Sequence, residues 1–327
     1  MIETIILNKT LSLLCVDEVH LFVHFGLSFH PEFALLQNVL FKLIRFRSLA
    51  GGNELSKTLT SVPVLFMTAT CNKTIVEQIQ VLSGFKFRIP GNVFWPSADA
   101  MQHRHVAINV VYTTAALECF KKEIGPVLAQ NHTSKYIWYC NNRSTVERHA
   151  QSILSWIDLQ GYKADLLTVT GALLKEQKFF HTRLFCASNE ANVRQLDSCS
   201  EIDRPFNPQI LVATSGAANA GLDSPHVFGV GRAEFPPSVV DVCQEKGRAG
   251  RRPHLDHGTC DDWYNIHISF ETYISLLRRT YLSDSNDIAE NNYRQRLLDD
   301  LATVLDIFVL PTQCFHLTLE SLASNPY

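Results

Sequence analysis

Short apolar runs alternate along the chain with longer stretches in which apolar residues recur every three or four positions, the spacings of buried strands and amphipathic helices. The first run, Leu11 to Val16, predicts a strand that stops on Asp17-Glu18. Segment 31–46 (PEFALLQNVLFKLIRF) has helical spacing, and the Gly-, Ser- and Thr-rich segment 48–61 predicts a loop. Val62 to Met67 predicts a second strand ending in Thr68-Ala69-Thr70, and a helix follows from Asn72, a candidate cap. Residues 88–104, with two prolines and a glycine, predict a linker, and the alternation resumes beyond it. Strands are predicted at Tyr136 to Cys140, Ala164 to Thr168, Ile210 to Thr214 and Val227 to Val230. Helices are predicted at Ser144 to Gln160, with Ser144 and Glu147 as a capping box, at Ala172 to Phe185 and at Ser238 to Lys246. The polar stretch 187–209 reads as a surface insertion, and after Pro253 two helices, Phe270 to Leu282 and Asn291 to Phe308, follow with no strand between them.

This order predicts an α/β fold: a doubly wound parallel sheet on each side of the linker, plus a small helical C-terminal segment. The expected boundaries are 1–95 for the first domain, 96–104 for the linker, 105–258 for the second domain and 259–327 for the helical segment.

Composition narrows the classes. The 327 residues are 46% hydrophobic and 19% charged, enough for two cores of ordinary size. No apolar stretch reaches the length of a membrane span, and the N-terminus lacks the basic lead-in and cleavage site of a signal peptide. The expectation is an intracellular protein without a membrane partner. The net charge of −3 gives no support for a globally basic nucleic-acid binder, although a local groove can be positive on an acidic protein. The nine cysteines are scattered, with no CxxC pair, which argues against a disulfide framework and against a complete zinc site.

Candidate chemistry clusters where strands are predicted to end. Open α/β sheets bind ligands at the carboxyl ends of their strands. An aspartate there can hold Mg²⁺, and a neighbouring glutamate can orient or deprotonate an attacking water. Alone, the tetrapeptide DEVH (Asp17 to His20) is more simply a solvated strand end. It is followed by Thr68-Ala69-Thr70, then by ILVATSGAANAGLDSP (Ile210 to Pro225), then by QEKGRAGR (Gln244 to Arg251), whose two arginines flank Ala249-Gly250. Arginines on a glycine-containing turn suit recognition of a γ-phosphate. The order of these segments is far more specific than any one of them.

In that order the chain resembles the superfamily 2 helicases, and most closely the RecQ-like ATP-dependent DNA helicases, over residues 11–320. The resemblance implies two RecA-like domains, the first truncated. It implies Asp17, Glu18, His20, Gln244, Arg248 and Arg251 at the catalytic centre, with Asp17 on Mg²⁺, Glu18 on water and the arginines as fingers from the second domain. Thr68, Thr70, Gly221 and Asp223 would couple hydrolysis to movement. Asn141, Arg143 and Thr214 would contact DNA. His24 to Phe33 falls where the family carries an aromatic-rich loop that senses single-stranded DNA, nominating Phe25, Phe29 and His30. Phe25 stands where Trp is usual and His30 where Arg is usual. Stacking survives the first change, whereas the second removes a guanidinium. By themselves Phe22, Phe25, Phe29 and Phe33 read as packing within the first domain. Cys314 matches the first ligand of a zinc-binding subdomain.

The implied activity is ATP-dependent 3′ to 5′ unwinding of DNA in DNA repair and recombination, with ATP and Mg²⁺ as cofactors and Zn²⁺ only in a longer chain. The implied partners are single-stranded DNA and duplex junctions, and the implied location in a eukaryote is the nucleus. Such a motor needs a P-loop, which in the family lies several strands and helices ahead of the acidic pair. Sixteen residues precede Asp17, and GxxxxGK[ST] occurs nowhere in the chain. GGNELSKT (Gly51 to Thr58) has a similar spacing but Ser56 before the lysine, and reads as an accidental match. The expectation is a partial chain, inactive as an ATPase alone, lacking the Walker A region and the end of the zinc-binding subdomain. The alternative is a non-catalytic DNA-binding or interaction module.

Overall fold

The structure is a computed structural model. It describes residues 12–24, 40–42, 44, 62–68, 73–87, 93, 106–130, 134–170, 207–218, 222, 224, 227–250, 262–281 and 288–309. The chain divides into two compact units, the first Met1–Met101 with Glu320–Tyr327 and the second Gln102–Leu319.

In the first unit, β1 (Leu14–Val16) pairs in parallel with β2 (Val64–Phe66). The short helix α1 (His20–His24) follows β1, and α2 (Lys73–Ser83) follows β2. Aromatic side chains supply much of the packing. Phe22, buried on α1, meets Phe41 edge to face at 5.9 Å, and Phe41 meets Phe66 and Phe85 at 5.7 Å each. Such contacts add about 0.5–1.5 kcal/mol each beyond area burial. For Phe22 the packing reading of the aromatic stretch holds. The helix expected over 31–46 and the loop over 48–61 fall largely or wholly outside the described residues.

The second unit contains an all-parallel six-stranded sheet. In chain order its strands are β3 (Ala107–Tyr112), β4 (Lys135–Cys140), β5 (Asp165–Val169), β6 (Gln209–Thr214), β7 (Val227–Arg232) and β8 (Trp263–Ile268). In space they run β3-β8-β7-β4-β6-β5. The chain passes from β4 outward to β5 and β6, then returns to the other side of β4 through β7. The ends of β4 and β7 therefore form a topological switch point, the usual place for a ligand in such sheets.

Helix α3 (Ala116–Ala129) follows β3, and α4 (Arg143–Gln160) follows β4. Beyond β6 lie the short α5 (Ser215–Ala218) and then, after β7, α6 (Val239–Lys246). Helices α7 (Phe270–Tyr281) and α8 (Ile288–Val309) close the described chain. The core centres on Trp138, fully buried in β4 and stacked on Phe120 of α3 at 4.4 Å. Its six-membered ring lies so close to β7 that a Cβ at Gly231 would approach it to 2.5 Å, so only glycine fits there. The C-terminal helix packs on the same unit: Tyr112 donates its hydroxyl to the Phe308 carbonyl at 2.5 Å, and Phe308 meets Phe235 edge to face.

Several details differ from the sequence expectation, which also did not predict β3 or α3. The cap of α4 is not Ser144. Asn142 is extended and its side chain accepts from the Thr145 amide at 2.8 Å, while Ser144 donates to Asn142 and Glu147 turns to Arg143. The boundary expected at residue 258 falls ahead of β8, which is hydrogen-bonded between β3 and β7, so the sheet continues past it. Strand β8 was hidden by its polar positions. Asn265 is paired with Asn109 across the ladder at 2.8 Å, and His267 lies against Glu123 at 3.2 Å. The expected linker, the helix at 172–185 and most of the insertion at 187–209 lie outside the described residues. No helix among the described residues is long and apolar enough to cross a membrane.

Candidate functional site

In the first unit, β1 ends on Asp17, whose exposed carboxylate accepts from the Glu18 amide at 2.8 Å. Glu18 has φ of +50°, the left-handed region, which costs a non-glycine residue about 1 kcal/mol or more. This turn sends the chain back into α1 and buries His20. His20 Nδ1 lies 2.7 Å from the Thr68 hydroxyl and 3.4 Å from Glu18 Oε2. Backbone bonds from Val19 to the Met67 carbonyl and from Met67 to the Val16 carbonyl tie the same two loops. The DEVH turn and the first threonine after β2 thus form one junction.

Asp17 is the exposed member of this junction. Its oxygens are hard donors of the kind Mg²⁺ takes, and a magnesium site commonly uses only one or two protein carboxylates. Among the described residues no group of three or more His, Cys, Asp or Glu side chains could hold a metal ion.

In the second unit the nominated residues gather at the carboxyl edge of the sheet. Asn141 follows β4, Thr214 ends β6, and Gln244 and Arg248 lie on α6 and the turn after it. Arg143 is exposed and pairs with Glu147 at 2.6 Å. Arg248 is buried, and its Nη1 donates to the Leu222 carbonyl, tying the QEKGRAGR turn to the segment that contains Gly221 and Asp223. Asn141 also points inward: its amide nitrogen donates to the Phe235 carbonyl at 2.9 Å and its oxygen accepts from Arg232.

Arg232 is the residue that the sequence reading missed. It ends β7 fully buried and donates to Glu245, to Ser215 Oγ at 2.8 Å, to Asn141 and to the Glu234 carbonyl at 3.1 Å. Glu245, also fully buried, further accepts from Ser215 at 2.8 Å and from the Tyr264 hydroxyl at 2.8 Å. Burial lifts the Glu245 carboxyl to about 7, against the pull of Arg232 and the two hydroxyl donors. Close by, His149 accepts the Trp138 indole N–H at Nδ1, 3.0 Å away. Burial, with Arg148 and Lys121 adding to it, lowers the His149 pKa to about 4, so the ring is neutral at pH 7. Sequence did carry a faint signal for the cluster. Glu245 lies three residues after Val242, on the face of α6 that is buried, and Arg232 closes an otherwise apolar strand.

Thr70, Gly221, Asp223, Arg251 and Cys314, with Phe25, Phe29 and His30, lie outside the described residues.

Two kinds of likeness bear on this geometry. In fold the chain is similar to the helicases. It matches the crystal structure of T. fusca Cas3 with a TM-score of 0.52 and 15% identity, over 90% of this chain and 38% of that one. It matches the DEAD-box helicase Mss116 bound to ssRNA and UDP-BeF with a TM-score of 0.50 and 12% identity, over 99% of this chain and 64% of that one. The architecture is therefore a RecA-like α/β fold. In sequence the chain is similar to the ATP-dependent DNA helicase RecQ of Pasteurella multocida (strain Pm70), 27% identical over 244 residues that cover 73% of this chain. It spans 30% of the length of that relative. No protein-family model matches the chain.

Proposed function

We propose that this chain is a portion of a RecQ-like helicase motor, and that the complete protein uses ATP hydrolysis to unwind duplex DNA in the 3′ to 5′ direction. The observation that carries this reading is the junction at Asp17. The acidic pair sits at a strand end, and His20 links it to Thr68, the first residue of the segment matched to hydrolysis coupling. In the complete motor, Mg²⁺ bound with ATP would offset phosphate charge. Asp17 would hold the ion, and Glu18 would take the proton of the attacking water. Arg248 would reach phosphate only by leaving the Leu222 carbonyl, and Arg143 and Thr214 would meet the DNA backbone. A location in the nucleus, if the source is a eukaryote, and roles in repair and recombination follow from the same reading.

The test is a strand-displacement assay of the complete protein on duplexes bearing either a 3′ or a 5′ tail. Unwinding of the 3′-tailed duplex that needs ATP and vanishes with Glu18→Gln is expected. Unwinding that survives Glu18→Gln would overturn the assignment. A second reading, a non-catalytic nucleic-acid-binding module, is favoured by the inward turn of Arg248, which donates to the Leu222 carbonyl and is buried. It predicts binding of a tailed duplex without displacement in the complete protein as well.

A further inference from the structure

We propose that Arg232 is a positioning residue: with Glu245 it forms a buried relay that holds three separate turns of the second unit as one body, and so sets their grip on single-stranded DNA. The second half of this statement rests on the nucleic-acid reading above; the first half does not.

The argument is one of convergence. The three turns come from distant parts of the chain. One carries Asn141 to Arg143, another Thr214 and Ser215, and the third Gln244 to Arg248. Each reaches the same guanidinium or the same carboxylate. Asn141 Oδ1 accepts from Arg232 Nη2. Ser215 Oγ accepts from Arg232 Nη1 at 2.8 Å and donates to Glu245 at 2.8 Å. Glu245 itself lies in the third segment and takes Arg232 directly. Arg232 Nε anchors the centre to the Glu234 carbonyl at 3.1 Å, while the Glu234 carboxylate accepts the Asn141 amide at 2.6 Å. Tyr264 closes the far side at 2.8 Å from Glu245. A displacement of one turn must therefore break a charged bond in a dry site or move the other two.

Geometry makes arginine specific here. A planar guanidinium donates in several fixed directions at once, whereas the single ammonium of lysine cannot span Asn141, Ser215, Glu245 and the Glu234 carbonyl together. Arg232→Lys retains the charge opposite Glu245 and so keeps the fold, but drops the outer contacts. Arg232→Met removes the charge and unfolds the unit more readily, so the lysine variant carries the test.

The experiment uses the 327-residue chain and a dT20 oligonucleotide. Hydrogen exchange is followed by mass spectrometry in wild type and Arg232→Lys, and dT20 affinity is read by fluorescence anisotropy. The expected result is exchange at least fivefold faster in all three turns together, with the middle of α4 unchanged, and dT20 affinity about tenfold weaker. Acceleration confined to the Asn141 turn, or none, in a folded variant overturns the relay. Unchanged dT20 affinity with all three turns loosened overturns the claim that the relay sets the grip. If wild type itself does not bind dT20 while the three turns loosen together, the relay stands and the nucleic-acid reading falls.

Discussion

At the Asp17 junction, two three-residue strands bring two loops together, and His20 fastens them through Thr68 at 2.7 Å. Around Arg232, the carboxyl ends of β4, β6 and β7, three of the six parallel strands, meet at one buried ion pair that also engages two hydroxyls and the Asn141 side-chain oxygen. The first arrangement leaves Asp17 exposed and holds Glu18 in a strained backbone conformation. The second leaves its charged centre dry. Strain and exposure suit a group that must meet a ligand and change partners. Burial suits a group that must keep its neighbours in register, because each polar atom there has a large penalty for losing its bond. On the proposed function, the first is where chemistry would be offered and the second is where geometry is kept.

Removing one partner of the buried pair gives the largest expected effect. Arg232→Met leaves the Glu245 carboxyl and the Asn141 oxygen without their donor, and the loss should be about 3–5 kcal/mol in chemical denaturation. A loss under 1 kcal/mol would place Arg232 with ordinary surface charges and erase the contrast.

The next effect is in pH. His149 sits beside the same strand end, and its folded pKa of about 4 is below the ordinary 6.5. The folded state then binds fewer protons than the unfolded state between those values, so this group's stability is present above 6.5 and lost as pH falls through 4. The full span corresponds to about 3 kcal/mol. Glu245 acts in the opposite sense: its raised pKa favours the folded state at low pH, and that contribution is lost as pH rises through about 7. Comparing wild type with His149→Gln across this range isolates the histidine. The difference in unfolding free energy should shrink as pH falls, because only wild type meets the protonation cost.

A smaller change is expected at the junction. Thr68→Val removes the hydroxyl that meets His20 and should cost about 1 kcal/mol in thermal or urea unfolding of the first unit. The smallest is at the surface, where Arg143→Ala breaks the exposed pair with Glu147 and should change stability by only about 0.2–0.5 kcal/mol. Its effect on dT20 affinity should be larger than its effect on unfolding, since an exposed arginine beside a turn serves a phosphate better than it serves the fold.

The fold was legible where burial leaves a plain mark. Strand β4 is buried at every position, and its residues KYIWYC are almost all apolar or aromatic. Strands β6 and β7 were read within a few residues for the same reason, and β1, β2 and β5, only partly buried, from their apolar runs, whereas β3 was not read. Strand β8 was not, because Asn265 pairs with Asn109 across the sheet and His267 with Glu123 of α3, and these polar positions break the apolar run that periodicity looks for. The α4 cap was misplaced because Ser144 and Glu147 match the capping spacing, whereas the extended backbone at Asn142 decides which side chain reaches the amide. The candidate site was legible only as an order of short segments, DEVH, TAT, ATS and QEKGRAGR, several of whose residues lie outside the described ones. Its internal wiring was not. Nothing in the linear pattern tells that Arg232 would meet Glu245, since that meeting depends on β7 returning beside β4, a topological step with no local signature.

The contrast is tested most directly by two double-mutant cycles measured in the same denaturant series, one on Arg232 and Glu245, the other on His20 and Thr68. Single and paired substitutions to apolar residues of similar size would report the coupling in each place. The account predicts coupling of about 2 kcal/mol or more for the buried pair and about 1 kcal/mol or less for the junction. Additivity within about 0.5 kcal/mol at Arg232 and Glu245 would contradict it.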